Sequence, residues 1–141
     1  MTIVVDASVA VRWLLKVRDN KSYDLNRNAY DLIRTEDRII APDLVLVEIA
    51  NAAWNAAAFE GVPIGVVNEA VGKAERGFHE LISSIVLKDR ALAIALELRH
   101  PVYDCFYLAL AEQRECRLIT ADDRLLRRCA GTPFAARVAA L

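Results

Sequence analysis

Four carboxylates stand where a folded chain can put chemistry. Asp6 follows the apolar run Ile3-Val4-Val5, and Asp122 follows Arg117-Leu118-Ile119-Thr120 at an equivalent place. Asp104 falls in the first turn of a predicted helix, where the helix dipole favours its ionised form. Glu48 lies among Leu44, Val45, Leu46, Val47, Ile49 and Ala50, in the most apolar helical stretch of the chain. A charged group on such a stripe is rarely buried without a partner. If the four converge, their repulsion in a low dielectric demands a bound cation or raised pKa values. Hard divalent ions such as Mg²⁺ or Mn²⁺ prefer carboxylate oxygen. The chemistry suited to such a site is metal-assisted hydrolysis at a phosphoryl group. Each residue also has a purely structural reading. Asp6 would cap the helix that follows it, and Asp122 or Asp123 the last helix. Asp104 would complement a dipole, and Glu48 would face solvent.

The elements that must position these residues follow from hydrophobic pattern. Ile3–Val5 is apolar without alternation, as in a strand buried on both faces of a parallel sheet, and ligands in open α/β sheets gather beyond the carboxyl ends of such strands. A short helix is predicted over Val9–Lys16, a polar break at Asp19-Asn20-Lys21-Ser22, and a second helix over Tyr23–Thr35. Arg38–Ala41 reads as a strand closed by Pro42, and Asp43–Glu60 as a long helix with a wide apolar stripe. After Gly61-Val62-Pro63 an antiparallel helix is predicted over Ile64–Leu81, its regularity weakened by Gly65, Gly72 and Gly77. A strand over Ser84–Leu87, a helix over Asp89–Arg99, a break at His100-Pro101-Val102 and a helix over Tyr103–Arg114 follow. The Arg117–Thr120 strand leads to a helix over Asp122–Cys129 and an edge strand within Phe134–Leu141. Strands alternating with helices predict a parallel α/β sheet with right-handed crossovers. No repeat, linker or low-complexity segment interrupts residues 1–141, which read as a single domain.

A hydrophobic share of 55% predicts a large core, with some of the excess assigned to a subunit surface. A net charge of -1 argues against a general nucleic-acid coating protein, yet leaves room for a nucleic-acid enzyme with a local basic rim. Arg12, Lys16, Arg124, Arg127 and Arg128 follow the two strands that end in Asp6 and Thr120 and are candidates for such a rim; a solvated helix face is the alternative. Cys105, Cys116 and Cys129 form no C-x-x-C and read as small buried hydrophobes of a reducing cytosol. No apolar run approaches the ~20 residues a bilayer requires, and no signal peptide is read at the start, so a cytoplasmic location is expected. No Gly-rich phosphate loop is present. A receiver-like binding domain would need a lysine after its last strands, and Lys88 is the last lysine. Tyr103 and Tyr107 read as core, His79 as surface or helix-end, and His100 as a neighbour of the Asp104 helix.

Several of these stretches resemble the motifs of PIN-domain ribonucleases: Ile3-Val-Val-Asp6-Ala-Ser8, Val47-Glu48-Ile49-Ala50-Asn51, Tyr103-Asp104-Cys-Phe-Tyr-Leu-Ala-Leu-Ala111 and Leu118-Ile-Thr120-Ala-Asp122-Asp-Arg-Leu125. Size and motif order resemble the VapC-type toxins of VapBC toxin–antitoxin pairs. The resemblance covers the whole chain. It is specific at the first and last two motifs and weak through Gly61–Leu87. It implies that Asp6, Glu48, Asp104 and Asp122 are the catalytic, metal-binding set for Mg²⁺ or Mn²⁺. Ser8 and Thr120 are implied as polar supports and Asn51 as a neighbour. Cys105 stands where the family usually has Ala, and of the Asp122–Asp123 pair the family pattern favours Asp122. The implied fold is a three-layer α/β/α sandwich on a central parallel sheet of about five strands, with Ile3–Asp6 in the middle and the Asp43–Leu81 hairpin beside the acidic pocket. The implied function is a metal-dependent endoribonuclease, the toxin of a type II pair, with an RNA substrate, a VapB-type antitoxin and a homodimeric state. A PIN-type RNA-processing nuclease without a toxin role and a non-enzymatic α/β binding module are the alternatives.

Overall fold

The computed structural model describes residues 1–15 and 22–141; Lys16 and the break at Asp19-Asn20-Lys21 lie outside the described residues. Its sheet has five parallel strands in the order β3-β2-β1-β4-β5. These are β1 (Thr2–Val5), β2 (Arg38–Pro42), β3 (Glu80–Ile82), β4 (Arg117–Thr120) and β5 (Val138–Ala140). The central place of β1 follows from its composition: Val4 and Val5 are fully buried, and Ile3 nearly so. Burying a side chain of this size contributes about 1.5–3 kcal/mol.

Alternation along β1 sorts the two layers of helix. Ile3 and Val5 face α1 (Ala7–Leu14) and α2 (Ser22–Ile33), packing with Val9, Ala29 and Ile39. Val4 points the other way, into the larger core beneath α3 (Leu44–Phe59), α5 (Lys88–Leu98), α6 (Val102–Gln113) and α7 (Asp123–Cys129). Helix α4 (Ile64–Gly72) packs back against α3 as the second arm of a hairpin. The molecule is therefore the three-layer α/β/α sandwich that the sequence implied.

The third strand is displaced from its expected place. The helix predicted over Ile64–Leu81 stops at Gly72. A 3₁₀ turn, Ala74–Gly77, and β3 take up the remainder. Glycine weakens the helix there, and Gly77 passes so close to Trp13 that a Cβ would stand 3.1 Å from its ring. The strand predicted over Ser84–Leu87 is instead a 3₁₀ turn over Ser84–Val86, with Ile85 and Val86 exposed. Its apolar run reads as a strand, but the Ser83 hydroxyl accepts the Ile85 N–H and the Ser84 N–H bonds Asp43. These bonds turn the chain out of the sheet. The real edge strand hides its signal because Glu80 is polar, tied to Arg38 and Arg114 at the surface.

Candidate active site

The site grows from the junction of β1 and α1. Asp6 is the N-cap of α1, taking the Val9 N–H at 3.3 Å on Oδ1. The Ser8 hydroxyl donates to the same oxygen at 2.5 Å. Asp6 is thus a cap, as its position suggests. It is also only 4% exposed, far more deeply set than capping requires. Ser8 reaches in the other direction too: its Oγ accepts the Ala121 N–H at 2.9 Å and lies 3.4 Å from Thr120 Oγ1. Thr120, fully buried, accepts the Asp122 N–H at 3.0 Å. Two adjacent strand ends are tied together through two hydroxyls.

Helix α6 delivers the next carboxylate. Arg99 takes a left-handed conformation (φ 52°) that ends α5 and turns the chain toward His100-Pro101. Asp104 then stands in the first turn of α6, with its Oδ2 2.6 Å from His100 Nε2. The His100 side chain is 6% exposed. Glu48 arrives from α3, which crosses above, and its Oε1 accepts the Tyr107 hydroxyl at 2.6 Å.

Between α1, α3 and the start of α6 lies a cleft of about 680 Å³. Ser8, Glu48, Asn51, Tyr103 and Asp104 line it, with Val11, Leu44 and Val47 as its apolar wall. Four of the predicted residues, Ser8, Glu48, Asn51 and Asp104, therefore share one cleft. Asp6 and Thr120 are buried behind Ser8. Asp122 does not line the cleft; its carboxylate caps α7, accepting from the Arg124 and Leu125 N–H groups at 2.8 and 3.4 Å. Asp123, in the first turn of α7, borders a separate hollow with Arg12.

Burial dominates the electrostatics. Desolvation raises the Asp6 carboxyl from 3.8 to about 7, against the lowering effect of Ser8, Thr120 and Val9, and the nearby Asp104 charge raises it further. Glu48 is also raised, first by desolvation and then by Asp104, while Tyr107 opposes both. Tyr107 is pushed well above its ordinary value by burial and by the Glu48 charge. Asp6 and Glu48 thus both feel the Asp104 charge. As the side chains stand, no three His, Cys, Asp or Glu groups among the described residues come together as a metal clasp. The donor set still fits a hard divalent cation in kind, since it consists of carboxylate oxygens. Glu48 Oε2 and Asp104 Oδ1 also accept no hydrogen bond among the described residues. Asp6, Glu48 and Asp104 are the residues that would hold the ion.

Three side chains depart from expectation. Arg12 is no rim residue: it is buried and donates to Asn26 on α2 at 3.2 Å, because α2 folds over it. Tyr103 is 61% exposed on the cleft wall rather than core; being next to Asp104 in the first turn was the signal that it faces the site. Tyr107 is core, but its hydroxyl belongs to the site, and nothing in the pattern of the sequence separates it from a phenylalanine. Arg124, Arg127 and Arg128 are exposed along α7, at i, i+3 and i+4, around a shallow concavity. Cys105 is buried, its thiol raised to about 12 by desolvation first and by Asp104 second, which makes it inert.

A five-strand parallel sandwich with buried and half-buried carboxylates at the strand ends and on two crossing helices defines a three-layer α/β domain with an acidic cleft. The PIN domain family model matches residues 3–131, and the chain belongs to that family of nucleases. It is similar to PAE2754 from Pyrobaculum aerophilum, 25% identical, covering 94% of this chain and 82% of that one with a TM-score of 0.65. It also shares its fold with VapBC2 from Rickettsia felis, solved bound to a DNA fragment from their promoter; the identity is 13%, the coverage 100% and 99%, and the TM-score 0.62. A comparison with curated proteins found no match.

Proposed function

We propose that this PIN domain is a Mg²⁺- or Mn²⁺-dependent endoribonuclease and the toxin of a type II toxin–antitoxin pair. One observation carries the reading: a carboxyl at the end of the central strand, 4% exposed, raised to about 7 and in the field of Asp104. Burying a carboxyl at this cost is hard to justify by capping alone, which an exposed Asp performs equally well. A divalent ion bound by Asp6, Glu48 and Asp104 supplies a Lewis acid for water and for the charge that builds on the phosphoryl group.

The chain's own residues do the rest. Ser8 and the Val9 N–H hold one oxygen of Asp6, and His100 holds one oxygen of Asp104, so the carboxylates keep a single orientation. Asn51 and Tyr103 on the cleft wall contact the nucleotide beside the scissile bond. Asp122, joined to Thr120 through its backbone, adds negative charge from the β4 side without lining the cleft, and Arg124, Arg127 and Arg128 hold phosphates of the RNA beyond it. The toxin assignment rests on motif order and on the fold shared with VapBC2. It brings a VapB-type antitoxin as partner and a homodimer as the assembly.

The test is cleavage of a broad RNA pool by the purified chain. Activity should disappear in EDTA, return with Mg²⁺ or Mn²⁺, and return poorly with the larger Ca²⁺. Asp6→Asn and Asp104→Asn should fall to background with the fold intact. Cleavage at the wild-type rate by Asp6→Asn would end the nuclease reading.

A further inference from the structure

Tyr107 occupies a position that a phenylalanine would fill equally well. It is 1% exposed, in the middle of α6, with Leu108, Leu110 and Ala111 buried around it. A buried phenol needs a hydrogen-bond partner, and a backbone carbonyl would serve without desolvating a charge. The partner here is Glu48, at 2.6 Å. The Ala7 N–H, directly after Asp6, weakly offsets the effect of burial and of the Glu48 charge on this phenol. One hydroxyl therefore joins α6 and α3, the elements that carry Asp104 and Glu48.

Only one oxygen of Glu48 is used in this way. Oε2 takes no hydrogen bond among the described residues. Asp104 repeats the pattern: His100 holds Oδ2 and leaves Oδ1 open. A short hydrogen bond to a carboxylate favours its ionised form and fixes its plane. An acid on a helix surface otherwise samples several rotamers, and freezing it costs entropy when a ligand binds.

We propose that Tyr107 is a positioning residue of the active site, holding one oxygen of Glu48 so that the other is presented to a divalent cation shared with Asp104. The proposal rests on the metal-dependent reading above. It assigns the phenol a role that acts through Glu48 and touches neither cation nor RNA. Partners of this kind are typically worth ten- to a hundredfold in metal affinity.

Direct Mn²⁺ binding to the RNA-free protein, followed by calorimetry or by the free-ion EPR signal, tests it without relying on turnover. Tyr107→Phe should weaken Mn²⁺ binding about tenfold. In a Glu48→Gln background the same change should produce no further loss, because the group it acts through has gone. Thermal melts of each variant accompany the titrations. A Tyr107→Phe protein that binds Mn²⁺ as tightly as wild type overturns the proposal, and so does a loss that simply adds to that of Glu48→Gln. Should Tyr107→Phe fail to fold, 4-aminophenylalanine at position 107 keeps the shape and a weaker donor. Its weaker hydrogen bond holds Glu48 less firmly, so Mn²⁺ binding should weaken several-fold, and unchanged binding overturns the proposal. Asp6→Asn separates the two levels of inference. If wild type and Asp6→Asn both bind no Mn²⁺, the metal reading falls and the proposal with it. If wild type binds, Asp6→Asn weakens binding and Tyr107→Phe does not, only the role of Tyr107 falls.

Discussion

At the scale of single residues, Asp6 performs two tasks that work against each other. It caps α1, which stabilises the fold, and it does so at 4% exposure, which penalises its charge. Its carboxyl rises from 3.8 in the ordinary state to about 7 when folded. The folded protein therefore holds a proton that the unfolded chain releases, and stability from this group is complete below about pH 4 and lost progressively as pH rises to 7. A shift of that size corresponds to on the order of 4 kcal/mol. Asp6→Asn keeps an acceptor for Val9 and removes the charge. In metal-free buffer at pH 8 it should be more stable than wild type by a few kcal/mol, with the gain shrinking toward pH 5. Urea melts at the two pH values measure this, and a gain that does not depend on pH would show that the carboxyl ionises freely in the folded state.

At the scale of elements, α7 poses a question about Asp122 that chemistry can separate. Its carboxylate caps the helix through Arg124 and Leu125. Asparagine caps about as well as aspartate, whereas alanine forfeits about 1 kcal/mol. Asp122→Asn should leave the melting temperature unchanged and still lower RNA cleavage, while Asp122→Ala should lower both. Full cleavage by Asp122→Asn would reduce the residue to a cap. The other informative element is the turn before β3. Trp13 donates to the Ala29 carbonyl at 2.7 Å and packs on Phe78, so its ring has little room to yield. A methyl group at Gly77 would meet it at 3.1 and 3.2 Å. Gly77→Ala should cost about 1–3 kcal/mol by overpacking, read as a lower urea midpoint with an unchanged slope.

For the whole molecule, exposed apolar side chains include Trp54, Phe59 and Ile64 on the α3–α4 hairpin and Leu92 and Leu96 on α5. Where such side chains gather into a contiguous patch they mark an association surface. Light scattering at high micromolar concentration should give twice the monomer mass, and a monomer there would remove the homodimer. Among the described residues no helix is long and apolar enough to cross a membrane. Metal binding also acts on the whole fold, because an ion that binds only the native state stabilises it by mass action. Saturating Mn²⁺ should raise the melting temperature of wild type and leave that of Asp6→Asn nearly unchanged.

Local pattern was enough to read a parallel α/β sheet, the buried strand Ile3–Val5 and the helices that carry Glu48 and Asp104, while the sandwich and the central place of that strand came from the resemblance to PIN-domain ribonucleases. Buried parallel strands and amphipathic helices write themselves into consecutive residues. The polar ends of those strands pointed to Asp6 and Asp122 for the same reason, and Ser8 and Thr120 came from the resemblance. The edge strand at Glu80–Ile82 escaped because a short, half-exposed strand has little apolar signature, while the exposed Ile85 and Val86 beside it have too much. The partners of the acids escaped as well. Tyr107 lies 59 residues from Glu48, and a hydroxyl inside an apolar stripe announces no partner until two helices cross. Which carboxylates share the cleft, which oxygen each of them keeps open, and how far Asp6 is removed from water are properties of packing between distant segments. Distance, burial and dielectric arise only when those segments meet.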